Sequence, residues 1–180
     1  VTREYGTNML RARRLVERGV RFVQVVSGPL QVLNDVVPDH NWDAHQGLDI
    51  NHTAHAKTVD KPIAGLLTDL KALGLLDSTL IVWTSEFGRT PYGQSGNGRD
   101  HNPWGYTQWL AGGGLRVGTT FGQTDEIGLK SVGAKVDTYD LHATVLQLLG
   151  LDHLKTTFLH NGRAERPTVV YGSVIKDILA

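Results

Sequence analysis

Two short stretches carry side chains suited to metal chemistry. HNWDAHQ sets Asp43 and His45 two residues apart, a spacing that turns both to one side of extended backbone. Leu80–His101, LIVWTSEFGRTPYGQSGNGRDH, runs from an apolar stretch into Glu86 and closes on Asp100–His101. Carboxylate with neutral imidazole suits Zn, Mn or related ions, while a set dominated by carboxylate and water oxygens leans toward Mg or Ca. One DxH string is weak evidence, and Glu86 alone reads as readily as a solvated carboxylate or a partner for Arg89 or Arg99. The combination between Asp43 and His101 is more specific. Metal-dependent hydrolysis is the chemistry it suggests.

The other candidates are weaker. His40, His52 and His55 lie near enough in sequence to compete as ligands, but read first as surface residues. His142 reads as a helix histidine, and His153 and His160 fall in turn-like surroundings. Ser85 lacks a nucleophile-elbow pattern, and Ala111–Gly114 lacks phosphate-loop spacing and reads as a tight turn after a strand.

The elements that must position these residues follow from periodicity. Tyr5, Met9, Ala12 and Val16 share a helix face, with Gly19 as a left-handed cap and Val20–Val26 as the strand after it. Ser27–His52 has no clean period and reads as a long loop. Val59, Ile63, Leu66, Leu67, Leu70 and Leu73 mark a second helix, with Asp60 as N-cap, Pro62 in the first turn and Gly74 as C-cap. Thr79–Thr84 suits a buried, parallel strand, and Trp109–Leu110 the end of another. Asp140–Leu149 predicts a third helix, Thr156–Val170 a hairpin around Asn161–Gly162, and Val174–Leu179 a closing helical turn. Helix followed by apolar strand occurs twice, which points to α/β layering.

Composition narrows the function. A chain of 180 residues, 40% hydrophobic, is one ordinary domain. Eighteen basic and eighteen acidic residues cancel, so there is no footprint for nucleic acid. There are no cysteines, which removes thiolate metal sites, disulfides and cysteine nucleophiles. No apolar run is long enough to span a bilayer. The chain opens at Val1 and enters a helical pattern at once, which reads as a fragment whose N-terminus lies upstream.

The phrases YGTNMLRARRLVERGVRFVQV, WDAH, LLTDLKALGLLDSTLIVWTSEFGRTP, NGRDHN, TDEIG and DLHATVLQLLGLDHLKTTFLHNGRAERP span nearly the whole chain. Together they resemble the sulfatase-like family labelled domain of unknown function 1501, of the alkaline phosphatase superfamily. The resemblance implies a three-layer α/β/α fold with a mainly parallel central sheet, of which residues 1–180 form an incomplete C-terminal portion. It also implies a metal site at the carboxyl edge of that sheet. The superfamily's Asp-His-Gly is matched by Glu86-Phe87-Gly88, in which Phe87 cannot ligate. His101 matches a later histidine ligand, and Asp43 with His45 matches an Asp-x-x-x-His pair at shorter spacing. The superfamily's first aspartate and its nucleophile would lie upstream of Val1.

The function implied is hydrolysis of a sulfate or phosphate ester on a small molecule or glycan. A divalent ion (Zn, Mn or Ca) would be held by Asp43, His45, Glu86 and His101, with Arg89 and Arg99 clamping substrate oxygens. The alternative is a catalytically degenerate module that binds anionic glycans or protein partners. Members of the family often carry twin-arginine export signals, so an extracytoplasmic location is implied. A truncated parallel sheet would expose a strand edge and promote self-association.

Overall fold

The computed structural model describes residues 2–28 and 41–180. Its first helix, α1 (Arg3–Glu17), buries Tyr5, Met9 and Ala12, the face set by the apolar period. Gly19 ends it at φ 87°. Its N–H reaches Val16 O at 2.9 Å, and Val20 N–H reaches Leu15 O at 3.0 Å. A side chain would strain that left-handed turn.

The second helix, α2, spans Leu48–Ala72 and starts well before the expected Asp60 cap. Pro62 is therefore buried in its interior and not in its first turn. The reason is visible in the early half. Asn51, His55 and Thr58, at i, i+4 and i+7, are fully buried yet polar. An inward face of that kind carries no hydrophobic period, so the segment reads as loop from sequence. His55 is correspondingly a buried residue and not a surface one.

Tyr5 and Met9 of α1 meet Val59 of α2 in the core, with Val25, Trp42, Ile63 and Leu66 packed around them. Burial of Met9 and Val59 contributes about 1.5–3 kcal/mol each. Arg13 binds Glu17 at 2.8 Å within α1 and approaches Asp69 of α2 at 3.6 Å.

The expected central parallel sheet is absent among the described residues. The described residues form four two-stranded antiparallel sheets in a small mixed α/β fold. The apolar run does form a strand, β1 (Leu80–Trp83), but the segment after it supplies no helical crossover. It folds instead into a hairpin, β2 (Gly88–Gln94) with β3 (Gly98–Asn102). The chain then returns antiparallel to β1 as β4 (Trp109–Gly112). Parallel pairing needs a crossover of about a dozen residues, usually a helix. An apolar tetrapeptide cannot say which kind of neighbour it will have. Trp83 and Trp109 stack across this pair, with ring centroids 6.3 Å apart. Val20–Val26, the other expected strand, forms no ladder among the described residues, and Phe22 and Val26 are exposed.

Short pairs β5 (Gln123–Thr124) with β6 (Ser131–Val132), and β7 (Phe158–His160) with β8 (Arg163–Glu165), follow. Asn161 and Gly162 at φ 48° and 76° make the turn of the second pair. Between the pairs lies α3 (Thr138–Leu148), capped by Asp137 and closed by a capping box with Asp140. A 3-10 turn at Lys176–Ile178 follows β8. No helix among the described residues is long and apolar enough to cross a membrane.

The buried imidazole should make the fold acid-sensitive. Neither ring nitrogen of His55 makes a well-formed hydrogen bond among the described residues. Burial first, then the neighbouring charge of His52, push His55 below its ordinary value, against a weaker pull from the Asn41 backbone. Burial also lowers His52, opposed by its bond to the Trp42 carbonyl and assisted by Arg89. Both rings start from 6.5, so the unfolded chain takes up protons first as pH falls. Stability is full above that value. It declines as pH drops through it, until the folded rings protonate at their lower values. Urea midpoints at about pH 7.5 and about pH 5 should differ in this direction, and His55→Leu should flatten the difference. An unchanged slope in the variant would contradict the assignment.

Candidate metal centre

The hairpin β2–β3 and the Asp43–His45 stretch build the site together. Trp42 anchors the stretch from below. Its ring packs against His52 and His55 at centroid distances of 5.5 and 5.3 Å, and its Nε1–H donates to Ser27 Oγ at 3.0 Å. Asn51 Nδ2 donates to the Asn41 carbonyl at 2.8 Å. The polar first turns of α2 thus act as a shelf for this segment. His52 and His55 support the site and stand outside the ligand cluster.

From above, the stretch is fastened to β3. Arg99 N–H donates to Ala44 O at 2.9 Å, and Gly47 N–H donates to Asn97 Oδ1 at 3.0 Å. Ala44 is fully buried, while Asp43 and His45 on either side are not. In the hairpin, Arg89 pairs with His101 and Gln94 with Gly98. Asp43 meets the first of these cross-strand pairs and His45 the second. Directly opposed residues share a sheet face, so pairing delivers Arg89 and His101 to Asp43 together.

The result is a compact group. Ligand atoms of Asp43, His45 and His101 all lie within 4.8 Å of one another. Asp43 Oδ1 is the common vertex, 3.0 Å from His45 Nε2, 3.5 Å from His101 Nε2 and 2.9 Å from Arg89 Nη2. Burial raises the Asp43 carboxyl. The Arg89 hydrogen bond, the His45 charge and the His101 hydrogen bond outweigh it and hold the group below the usual carboxylate range. The group is therefore an anion at neutral pH. Two imidazole nitrogens and one carboxylate oxygen match the three-ligand sets of open catalytic zinc sites. All three side chains remain 37–54% accessible, which leaves room for water or a substrate oxygen.

The remaining expected residues are placed differently. Glu86 is outside the cluster, and its carboxylate accepts from Ser85 Oγ at 3.0 Å. Phe87 lies flat on His101, with centroids 4.0 Å apart and planes inclined by 24°. Arg89 donates to Asp43, to Trp42 O at 3.0 Å and to Arg99 O at 3.3 Å. Arg99 Nη1 donates to Gly98 O at 2.8 Å. Asp100 accepts from His101 N–H at 2.7 Å, and its Oδ1 stands 4.0 Å from His45 Nδ1. His142, His153 and His160 are not in the group, and His40 lies outside the described residues. Sequence reasoning passed over Gln94, whose Oε1 is 2.7 Å from His45 Nδ1. Its only signal was a place next to the hairpin turn, which has no meaning until the register is known.

The sequence pattern of the family described as "Protein of unknown function (DUF1501)" matches residues 1–179. The chain belongs to the DUF1501 family. No curated protein and no solved structure matches it. Within this DUF1501 chain, Asp43, His45 and His101 are the group able to hold a metal ion among the described residues.

Proposed function

We propose that this DUF1501 protein uses Asp43, His45 and His101 to hold a divalent cation for hydrolysis of a sulfate or phosphate ester. The convergence of these three ligand atoms within 4.8 Å is the observation that carries the reading. Two imidazoles favour Zn or Mn over Ca, which prefers an all-oxygen shell. The bound cation would supply Lewis acidity toward an ester oxygen. Asp43 and the two histidines orient it, and Arg89 holds the carboxylate from behind. Arg99 lies on the hairpin and would meet the anionic part of the substrate, while Arg89 is committed to Asp43 and the Trp42 and Arg99 carbonyls. The resemblance to sulfatase-like enzymes of the alkaline phosphatase superfamily supports the ester, and an extracytoplasmic setting accompanies it.

With Phe87 packed on His101 and Glu86 bonded to Ser85, the cluster offers one cation position. Isothermal titration with zinc, manganese and calcium in turn should give one zinc or manganese per chain and weaker calcium. Turnover of p-nitrophenyl sulfate or phosphate should depend on that ion. Absence of binding by all three would overturn the reading.

The same Phe87 contact favours a second reading, a degenerate module that binds anionic glycans or partners. Metal binding and heparin binding without ester turnover would select it.

A further inference from the structure

We infer that Gln94 is a positioning residue that selects the nitrogen by which His45 binds the cation, an inference that rests on the metal reading above. Gln94 Oε1 lies 2.7 Å from His45 Nδ1, while His45 Nε2 faces Asp43 at 3.0 Å. An amide oxygen only accepts, so this contact requires the ring hydrogen on Nδ1. Nε2 is then the nitrogen that faces Asp43 and His101: in the free site it is within donating distance of Asp43 Oδ1, at 3.0 Å, and a cation would replace that hydrogen and take the Nε2 lone pair. A second acceptor stands on the Nδ1 side, since Asp100 Oδ1 is 4.0 Å away. Two oxygens there favour the amide orientation with Oε1, and not the NH2 group, against the ring. On the other side, Asp43 Oδ1 is already engaged by Arg89.

The backbone makes the contact stiff. Gln94 is the last residue of β2 and pairs with Gly98, where the chain passes against the His45 carbonyl. The hairpin therefore brings an acceptor to the far side of the imidazole as well as a ligand, His101, to its near side. Outer partners of this kind fix the orientation and tautomer of metal-binding histidines, and their loss typically weakens binding about 10–100-fold.

The test compares the full chain with Gln94→Leu and Gln94→Glu, reading zinc affinity by titration calorimetry and the His45 tautomer by long-range proton–nitrogen NMR at mildly alkaline pH. His45→Asn assigns the signals. The zinc-loaded wild type should show hydrogen on Nδ1. Gln94→Leu should mix the tautomers and bind zinc about 10–100-fold more weakly, and Gln94→Glu, which keeps an acceptor, should restore both. Hydrogen on Nε2 in the zinc-loaded wild type, or full zinc affinity in Gln94→Leu, would overturn the role of Gln94 alone. A wild type that binds no zinc overturns the metal reading instead, while its tautomer spectrum still decides whether Gln94 orders the ring.

Discussion

Asp43→Asn should remove most of the zinc affinity of the full chain, by roughly 100-fold or more, which is about 2.8 kcal/mol of binding free energy. The substitution keeps the shape and deletes the charge. Asp43 Oδ1 is the atom that His45, His101 and Arg89 all approach, at 3.0, 3.5 and 2.9 Å. Without the anion, two imidazoles and a guanidinium converge, and the remaining carboxylate, Asp100, stands on the Nδ1 side of His45, away from the ligand nitrogens. A cation entering that space would be repelled by Arg89 with no carboxylate ligand to offset it. Linkage points the same way. The carboxyl is held below its ordinary value of 3.8, so its stabilising contribution is present above that value and lost as pH falls through the folded value. Asp43 is therefore already ionised at neutral pH, and cation binding there displaces no proton from it. Titration calorimetry of the variant checks this. Affinity equal to wild type would remove Asp43 from the ligand set.

Gly98→Ala should cost both stability and metal affinity, although it alters no ligand. A Cβ at this position would land on the His45 carbonyl and within 2.7 Å of Gln46 N. The obstacle is backbone, so no rotamer change relieves it. The stretch must lift from β3, stretching the Arg99–Ala44 hydrogen bond and carrying Asp43 and His45 away from His101. Overpacking of this kind costs about 1–3 kcal/mol. Gly65→Ala is the control. It lies inside α2 with nothing near its added Cβ, and should stabilise by about 0.5–1 kcal/mol. A thermal melt and a zinc titration of each variant separate the two effects. Wild-type behaviour of Gly98→Ala would mean that the Asp43–His45 stretch is not clamped by the hairpin.

The legibility of this chain varied with the kind of signal. α1, α3 and the Asn161–Gly162 hairpin announced themselves, because apolar period, caps and turn residues are local. The start of α2 did not, because its buried face is made of Asn51, His55 and Thr58. Val20–Val26 has strand composition, but a strand exists only where another strand bonds to it. For β1, the apolar run was readable and the partner was not. Helix–strand alternation implies parallel layering, whereas the loop after Trp83 folds on itself and sends Trp109–Gly112 back antiparallel.

The candidate site divides along the same line. The residue types and the two stretches that hold them, Asp43–His45 and the segment ending in His101, are properties of the sequence alone. So is the membership in the DUF1501 family. Which members of that set meet was decided by tertiary structure. Hairpin register put His101 beside Arg89, and Gly98 allowed the Asp43–His45 backbone to lie against β3. Glu86, just before the hairpin, stays with its neighbour Ser85, whereas the register brings Gln94 to His45. A carboxylate and an imidazole can be counted along a chain. Their convergence is a long-range event, set by backbone pairing between residues some fifty positions apart, and no local pattern encodes that distance.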